Sequence, residues 1–145
     1  MHTRKDIAEA YLIESSVDIE TARLTQINGL FSRTIQFSQE SIEKITKACL
    51  AINDIYTRDH KTSTLFKAVF SKDIENAKQI EEAMLSLEKH GARTRFPLYQ
   101  RSDLPLWIPS RVYGESEAKA ALSQAELVFN TLKDYLNKKC ANSEK

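Results

Sequence analysis

The sequence predicts an all-α helical bundle, and three observations carry that prediction. Glycine and proline are scarce, three of each in 145 residues. Charged side chains make up 28% of the chain beside 41% apolar ones, a balance suited to packed amphipathic helices. Apolar residues recur at alternating spacings of three and four along most of the length, the period of a helix with one buried face. The length fits one domain, read as residues 1–140, followed by a short polar tail at 141–145.

The first helix is expected from about Thr3 to Gln26. Ala8, Leu12, Ser15, Ile19 and Ala22 form its stripe, widened by Ile7 and Tyr11. Asn28-Gly29 stops it, because glycine takes the left-handed conformation that closes a helix. The second helix, about Leu30 to Ile55, has the strongest period: Phe31, Ile35, Ser38, Ile42, Ile45, Cys49, Ile52 and Tyr56. Only Ser38 interrupts that stripe with a polar group, and Phe37 and Ala48 lie beside it. Such a helix belongs at the centre of a bundle.

After the break "TRDHKTS", Leu65, Phe66, Val69 and Phe70 predict a short third helix. Ser71 is the expected cap of a fourth, about Lys72 to His90, with Ile74, Ala77, Ile80, Met84 and Leu87 facing inward and Gly91 ending it. The last helix is expected from Ser116, its N-cap, to about Lys138. Its inward residues are Ala118, Ala121, Leu122, Ala125, Phe129, Leu132 and Leu136. Glu115 and Glu117 suit its positive end, and Lys138 and Lys139 its negative end.

Between the fourth and last helices lies "RTRFPLYQRSDLPLWIPSRVYG", residues 93–114, read as a connection without secondary structure. It holds all three prolines, the single tryptophan and four of the eight arginines against one acid, Asp103. The net charge of the chain is only +1, so bulk electrostatics do not predict avid nucleic-acid binding, and any such binding must come from local clustering here.

Other classes are excluded more simply. Cys49 lies in an apolar helical pattern and Cys140 in a polar one, so neither a disulfide scaffold nor a redox pair is expected. No apolar run approaches a membrane span, and a cytoplasmic protein without membrane contact is the expectation. There is no Glu-x-x-His for a di-iron bundle, no phosphate-binding glycine loop and no nucleophile elbow. Glu40 and Glu43 stand beside Lys44 and Lys47, which reads as a solvated ion-pair network. No metal and no cofactor are expected.

Four stretches give the chain a resemblance to the HEPN family. In residues 16–50 the matching positions are Asp18, Ile19, Ala22, Gly29, Phe31, Phe37, Glu43 and Lys44. "HKTSTL" (60–65) is similar to the family's short third helix and the histidine before it. "RTRFP" (93–97) resembles its basic-aromatic-proline element, and "VYGESEAKAALSQAE" (112–126) the start of its last helix. The resemblance implies an up-and-down bundle of four long helices plus a short one, usually homodimeric with a cleft between subunits. It also implies one of two functional branches. One is a metal-independent ribonuclease, often a toxin, with an arginine followed four to six residues later by a histidine. The other is a binding module, often paired with a minimal nucleotidyltransferase in a toxin–antitoxin arrangement.

The chain departs from the ribonuclease pattern. Of His2, His60 and His90, none follows an arginine at that spacing; Arg58 is too near His60, and Arg93 comes after His90. The chemistry needs a histidine to move the proton of a 2′-hydroxyl and an arginine to stabilise the charged phosphorane. No catalytic residue is therefore assigned, and a non-enzymatic module binding a nucleotide, an RNA or a nucleotidyltransferase partner is the expected function. Arg93, Arg95, Arg101 and Arg111 offer forked donors for phosphate. Tyr99 and Tyr113, with Trp107, offer faces for a base. His60 is a lesser candidate, read more readily as a capping or hydrogen-bonding residue at the start of the third helix. Two alternatives stand beside this reading: a ribonuclease toxin with a non-standard Arg/His site, and a purely structural homodimerising module. The segment itself also has a packing reading, in which Phe96, Leu104, Leu106, Trp107 and Ile108 plug the bundle end or a dimer seam and the arginines pair with acids of neighbouring helices.

Overall fold

The structure, a computed structural model, describes residues 1–143. Six helices follow in order: α1 (Arg4–Ile27), α2 (Phe31–Ile52), α3 (Ser63–Phe70), α4 (Ala77–Glu88), α5 (Pro109–Val112) and α6 (Glu115–Ser143). A 3₁₀ turn (Gly91–Thr94) follows α4. Among the described residues there is no strand, and one isolated bridge pairs Leu98 with Trp107.

Helix α1 starts as its sequence dictates. Thr3 accepts from the Asp6 amide at 3.1 Å while Asp6 accepts from the Thr3 amide at 3.0 Å, a reciprocal capping box. Its end is a Schellman motif: Leu30 N–H donates to Thr25 O, Gly29 N–H donates to Gln26 O, and Gly29 has φ +74°. The same motif closes α2, three residues before the expected end. There Ile55 N–H donates to Leu50 O, Asp54 N–H donates to Ala51 O, and Asp54 takes φ +62°. Tyr56, expected in the buried stripe, consequently falls beyond the helix and is exposed.

Helix α2 is the centre of the bundle, packed chiefly against α1 and α6, with α3 and α4 beside it. Its stripe Ile35, Ser38, Ile42, Ile45 and Cys49 is buried, and Ala48, Leu50 and Ala51 are buried too, so it faces neighbours on several sides. Polar contacts sew α1 to it: Ser15 Oγ donates to Ser41 O at 2.8 Å, Thr25 and Thr34 hydroxyls meet at 3.0 Å, and Lys44 Nζ pairs with Asp18 at 2.7 Å. From α3 and α6, Phe66, Phe70 and Tyr135 stack in a chain at 5.5 and 5.2 Å.

Two expected boundaries move. Ser71 does not cap α4; Asp73 and Ile74 amides turn back onto Phe70 O, Ile74 is buried by that turn, and the helix begins only at Ala77. Helix α6 begins one residue before Ser116, with Ala118 N–H donating to Gly114 O, and continues beyond Lys138 to Ser143. The last two residues of the expected polar tail lie outside the described residues.

Candidate nucleotide-binding surface

The connection between α4 and α6 is not structureless, as the sequence suggested. Gly91, at φ +52°, turns the chain out of α4 into the 3₁₀ turn, and Pro109 opens α5, where a missing N–H costs nothing. Proline-bearing segments between helices cannot continue the helical ladder, yet short turns and one bridge satisfy much of this backbone.

Its inner end is wired to α2. Gln39 Nε2 donates to Leu87 O at 3.0 Å and to Gly91 O at 3.4 Å, while Gln39 Oε1 accepts from the fully buried Thr94 hydroxyl at 2.9 Å. Arg33 Nη1 donates to Thr94 O at 3.2 Å.

Further out, four side chains stack in series. The Arg93 guanidinium lies 5.8 Å from the Trp107 ring centre, and Trp107 Nε1–H donates to Arg93 O at 2.8 Å. Trp107 meets Tyr113 edge-on at 5.8 Å, and Tyr113 meets His90 likewise at 5.4 Å, with the Tyr113 hydroxyl 3.2 Å from His90 Nδ1. Burial pushes His90 below the ordinary imidazole value; Lys89 and Arg93 act in the same direction and Glu117 against it. Burial likewise pushes the Tyr113 phenol up. Both groups are held neutral by this packing.

This arrangement leaves two concavities. A cleft of about 240 Å³ lies between α2 and the turns before α3 and after α4, and its lining includes the charged or titratable side chains of Glu40, Glu43, His60, Lys61 and Arg95. An apolar groove of about 570 Å³ lies on the outer part of the connection, lined by Leu98, Leu104, Leu106 and Trp107 with Arg93 and Arg101.

The expected contact residues divide between these places. Arg95 and His60, 35 positions apart in the sequence, share the cleft. Arg95 lies 3.9 Å from Glu40, and His60 Nδ1 lies 3.2 Å from Glu43 Oε1. Glu43 also holds Lys47 at 2.9 Å. Arg93 and Arg101 share the groove, but Arg101 is forked onto Asp103 at 2.6 and 3.2 Å. Hydrogen bonds from Arg101 hold the exposed Asp103 carboxyl below the usual carboxylate range. Tyr99 is 74% exposed at the tip. Arg111 is exposed on α5 and makes no ion pair among the described residues. Tyr113 is 7% exposed and belongs to the packed stack, not to an open face.

His60 does not cap α3. Glu88 does: its Oε1 accepts from the Thr62 and Ser63 amides, both at 3.0 Å, and its Oε2 from the Ser63 hydroxyl at 2.6 Å. A carboxylate at a helix N-terminus is favoured by both free amides and dipole. Sequence reasoning missed Gln39 and Glu88 as organisers and Lys61 as a cation of the cleft. For Lys61 the signal was available, since it adjoins His60. Among the described residues, no group of three or more histidine, cysteine, aspartate or glutamate side chains is placed to hold a metal, and no helix is long and apolar enough to cross a membrane.

Comparison with known proteins gives one family and one fold. The family model described as "HEPN domain" matches residues 8–135. The Methanocaldococcus jannaschii protein named "Putative toxin MJ1304" is 28% identical over 138 residues, covering 91% of this chain and 90% of its own. The crystal structure of TT1696 from Thermus thermophilus superposes with a TM-score of 0.75 at 20% identity, over 88% of this chain and 96% of that one. The archaeal HEPN homologue ST0689 gives 0.69 at 22% identity, over 94% of this chain and 99% of that one. At these identities the two structures establish the shared fold.

Proposed function

The chain belongs to the HEPN domain family, and from that premise we propose that it is a non-enzymatic, toxin-like HEPN module of the cytoplasm. It works as a homodimer and binds a nucleotide or RNA end, or a minimal nucleotidyltransferase partner. The toxin-like part of the reading draws on the name of the M. jannaschii relative. One observation carries the binding part: Arg93, without a carboxylate partner, stands over an aromatic face, and a further arginine and an open ring lie on the same connection. Arg93 rests on Trp107, Arg111 has no ion pair among the described residues, and Tyr99 is open to solvent. Phosphate contacts from forked guanidinium groups with stacking on aromatic rings suit single-stranded RNA and nucleotides alike. Arg101 and Arg95 contribute after leaving Asp103 and Glu40.

The test is binding of a short oligo-RNA and of ATP at two salt concentrations. Replacing both Arg93 and Arg111 with alanine is expected to weaken RNA binding about tenfold or more and to lower the salt slope by about 1 per lost phosphate contact. Unchanged affinity in the double variant, or no binding by the wild type, overturns the reading.

A ribonuclease reading is favoured by one arrangement, the His60–Glu43 pair at 3.2 Å in a cleft that Arg95 also lines. A carboxylate behind a histidine orients it for proton transfer. In the same experiment intact RNA is the expected product. Cleavage that survives EDTA and disappears in His60→Ala would replace the binding reading with this one.

A further inference from the structure

The bridge between Leu98 and Trp107 lays two extended segments side by side and leaves them two unlike edges. Leu98 N–H donates to Trp107 O and Trp107 N–H donates to Leu98 O, both at 3.1 Å. In an extended chain the N–H and C=O of one residue point to one side and those of its neighbours to the other. The groups flanking the bridge therefore point outward, away from the paired segment. On one side they belong to Pro97, which has no N–H, and to Tyr99, whose N–H donates to the Gln100 side chain at 3.2 Å. That edge offers no donor to a further strand. On the other side they belong to Leu106 and Ile108, and Ile108 is extended at φ −122° and ψ 104°. The Leu106 N–H and C=O and the Ile108 N–H have no hydrogen-bond partner among the described residues. Proteins ordinarily blunt such edges with proline or charge; here one edge is blunted and the other is open.

The apolar groove of about 570 Å³ is built on the same bridge, with Leu98, Leu104, Leu106 and Trp107 in its lining. Leu104 and Leu106 are 53% and 60% exposed. Among the described residues the charged lining of the groove is Arg93 and Arg101, with no carboxylate. An open edge beside an apolar groove suits an added strand, whose main chain pairs with the edge while alternate side chains fill the groove. The edge itself selects peptide over nucleic acid. A phosphate accepts from an N–H but has no proton for the Leu106 carbonyl, whereas a peptide supplies donor and acceptor together. Pro105 and Pro109 bound the edge, so the paired stretch is short. The two arginines call for carboxylates in the occupant.

We infer that the Leu106–Ile108 edge and its groove dock a short extended segment of another protein, apolar at alternate positions and carrying carboxylates at its ends. The inference goes beyond the function proposed above, because it uses main-chain groups and leucines that the phosphate and base contacts leave idle. Arg93 and Trp107 are common to both, so the two ligands are titrated separately.

Trp107, the single tryptophan, reports occupancy of the groove directly. The full chain is titrated with a short peptide in which valine alternates with threonine and each end carries glutamates. Saturable binding with a Kd below about 1 mM is expected, with slowed amide exchange at Leu106 and Ile108. N-methylation throughout the central stretch of the peptide is expected to weaken binding at least about tenfold. Leu104→Glu and Leu106→Glu are expected to do the same, with helical circular dichroism unchanged because both side chains are more than half exposed. Lysines in place of the terminal glutamates are also expected to weaken it. Absence of saturation, equal binding by the N-methylated peptide, or indifference to both leucine variants overturns the strand addition. Equal binding by the lysine-ended peptide overturns the acidic class of the partner. Protection of Leu106 and Ile108 by an oligo-RNA that displaces the peptide would make nucleic acid the occupant. Protection that grows with protein concentration alone would make it a second copy, and either result overturns the inference. RNA binding through Arg93 and Arg111 is measured without peptide, and its failure leaves this result untouched.

Discussion

The two halves of the connection between α4 and α6 are both basic and opposite in construction. The inner half, Gly91–Arg95, is sewn to α2 by Gln39 and Arg33, and its Thr94 is fully buried. The outer half is held by one bridge, Leu98 with Trp107 at 3.1 Å in both directions, and by the tryptophan's bond to Arg93 O. Around that bridge Tyr99, Leu104 and Leu106 remain 74%, 53% and 60% exposed. Both halves are basic, and both contain residues that resemble phosphate contacts. Hydrogen bonds from α2 to the backbone mark the anchored half, while the Arg93 side chain, rooted in that half, reaches out to the Trp107 ring and belongs to the free surface. A side chain whose donors are already satisfied by backbone carbonyls fixes the chain, whereas one resting on a ring or facing solvent is free to bind.

The difference is broken most severely at Gln39. Alanine there removes three hydrogen bonds at once and leaves the buried Thr94 hydroxyl and the end of α4 without that partner. Leaving buried polar groups unsatisfied costs about 1–3 kcal/mol each where no water replaces the partner. A loss of about 2–3 kcal/mol in urea unfolding is expected for Gln39→Ala. A loss under about 0.5 kcal/mol would mean that the inner half is held by packing alone.

Much of this fold is legible in the sequence because local signals agree with it. The stripe of α2 and the glycine after α1 locate the two central helices to within a few residues. The misplaced boundaries occur where a distant or unusual feature intervenes. Asp54 closes α2 in a conformation that the sequence assigns more readily to glycine or asparagine. Helix α3 is capped by Glu88 from 25 residues away, and no local pattern contains that contact. The site was legible as residue types but not as a grouping. His60 and Arg95 were each selected, and only folding brings them into one cleft. Tyr113 was selected for its aromatic face, which burial against His90 and Trp107 then removes.

A smaller effect is expected in the outer half, and it sharpens the comparison. Trp107→Ala removes the indole bond to Arg93 O and one edge contact to Tyr113. The ring is only partly buried, so the cost is expected at about 1–2 kcal/mol, below that of a fully buried aromatic. Amide exchange should localise it. Leu98 and position 107 should exchange faster, while protection in α2 and α4 keeps pace with global stability. Loss of protection at Gly91–Arg95 to the same extent would show the two halves to be one unit.

The smallest expected effect tests the join between them, where His90 meets Tyr113. The imidazole is held below its ordinary value first by burial and then by Lys89 and Arg93, with Glu117 opposing. Its unfolded value lies near 6.5, so the folded protein holds fewer protons than the unfolded chain just below that pH. The associated stability is therefore fully present above about pH 6.5 and is lost as pH falls through the lower folded value. Protonation also charges a ring 3.2 Å from the Tyr113 hydroxyl in a packed site, loosening the stack on Trp107. As the single tryptophan of the chain, Trp107 reports this directly. A change in its emission as pH falls below 6.5 is expected in the wild type and should be absent in His90→Gln, whose stability should also vary less over the same fall. The carboxylates titrate mainly at lower pH. An identical emission change in both proteins would assign the transition to another group and detach the outer half from His90.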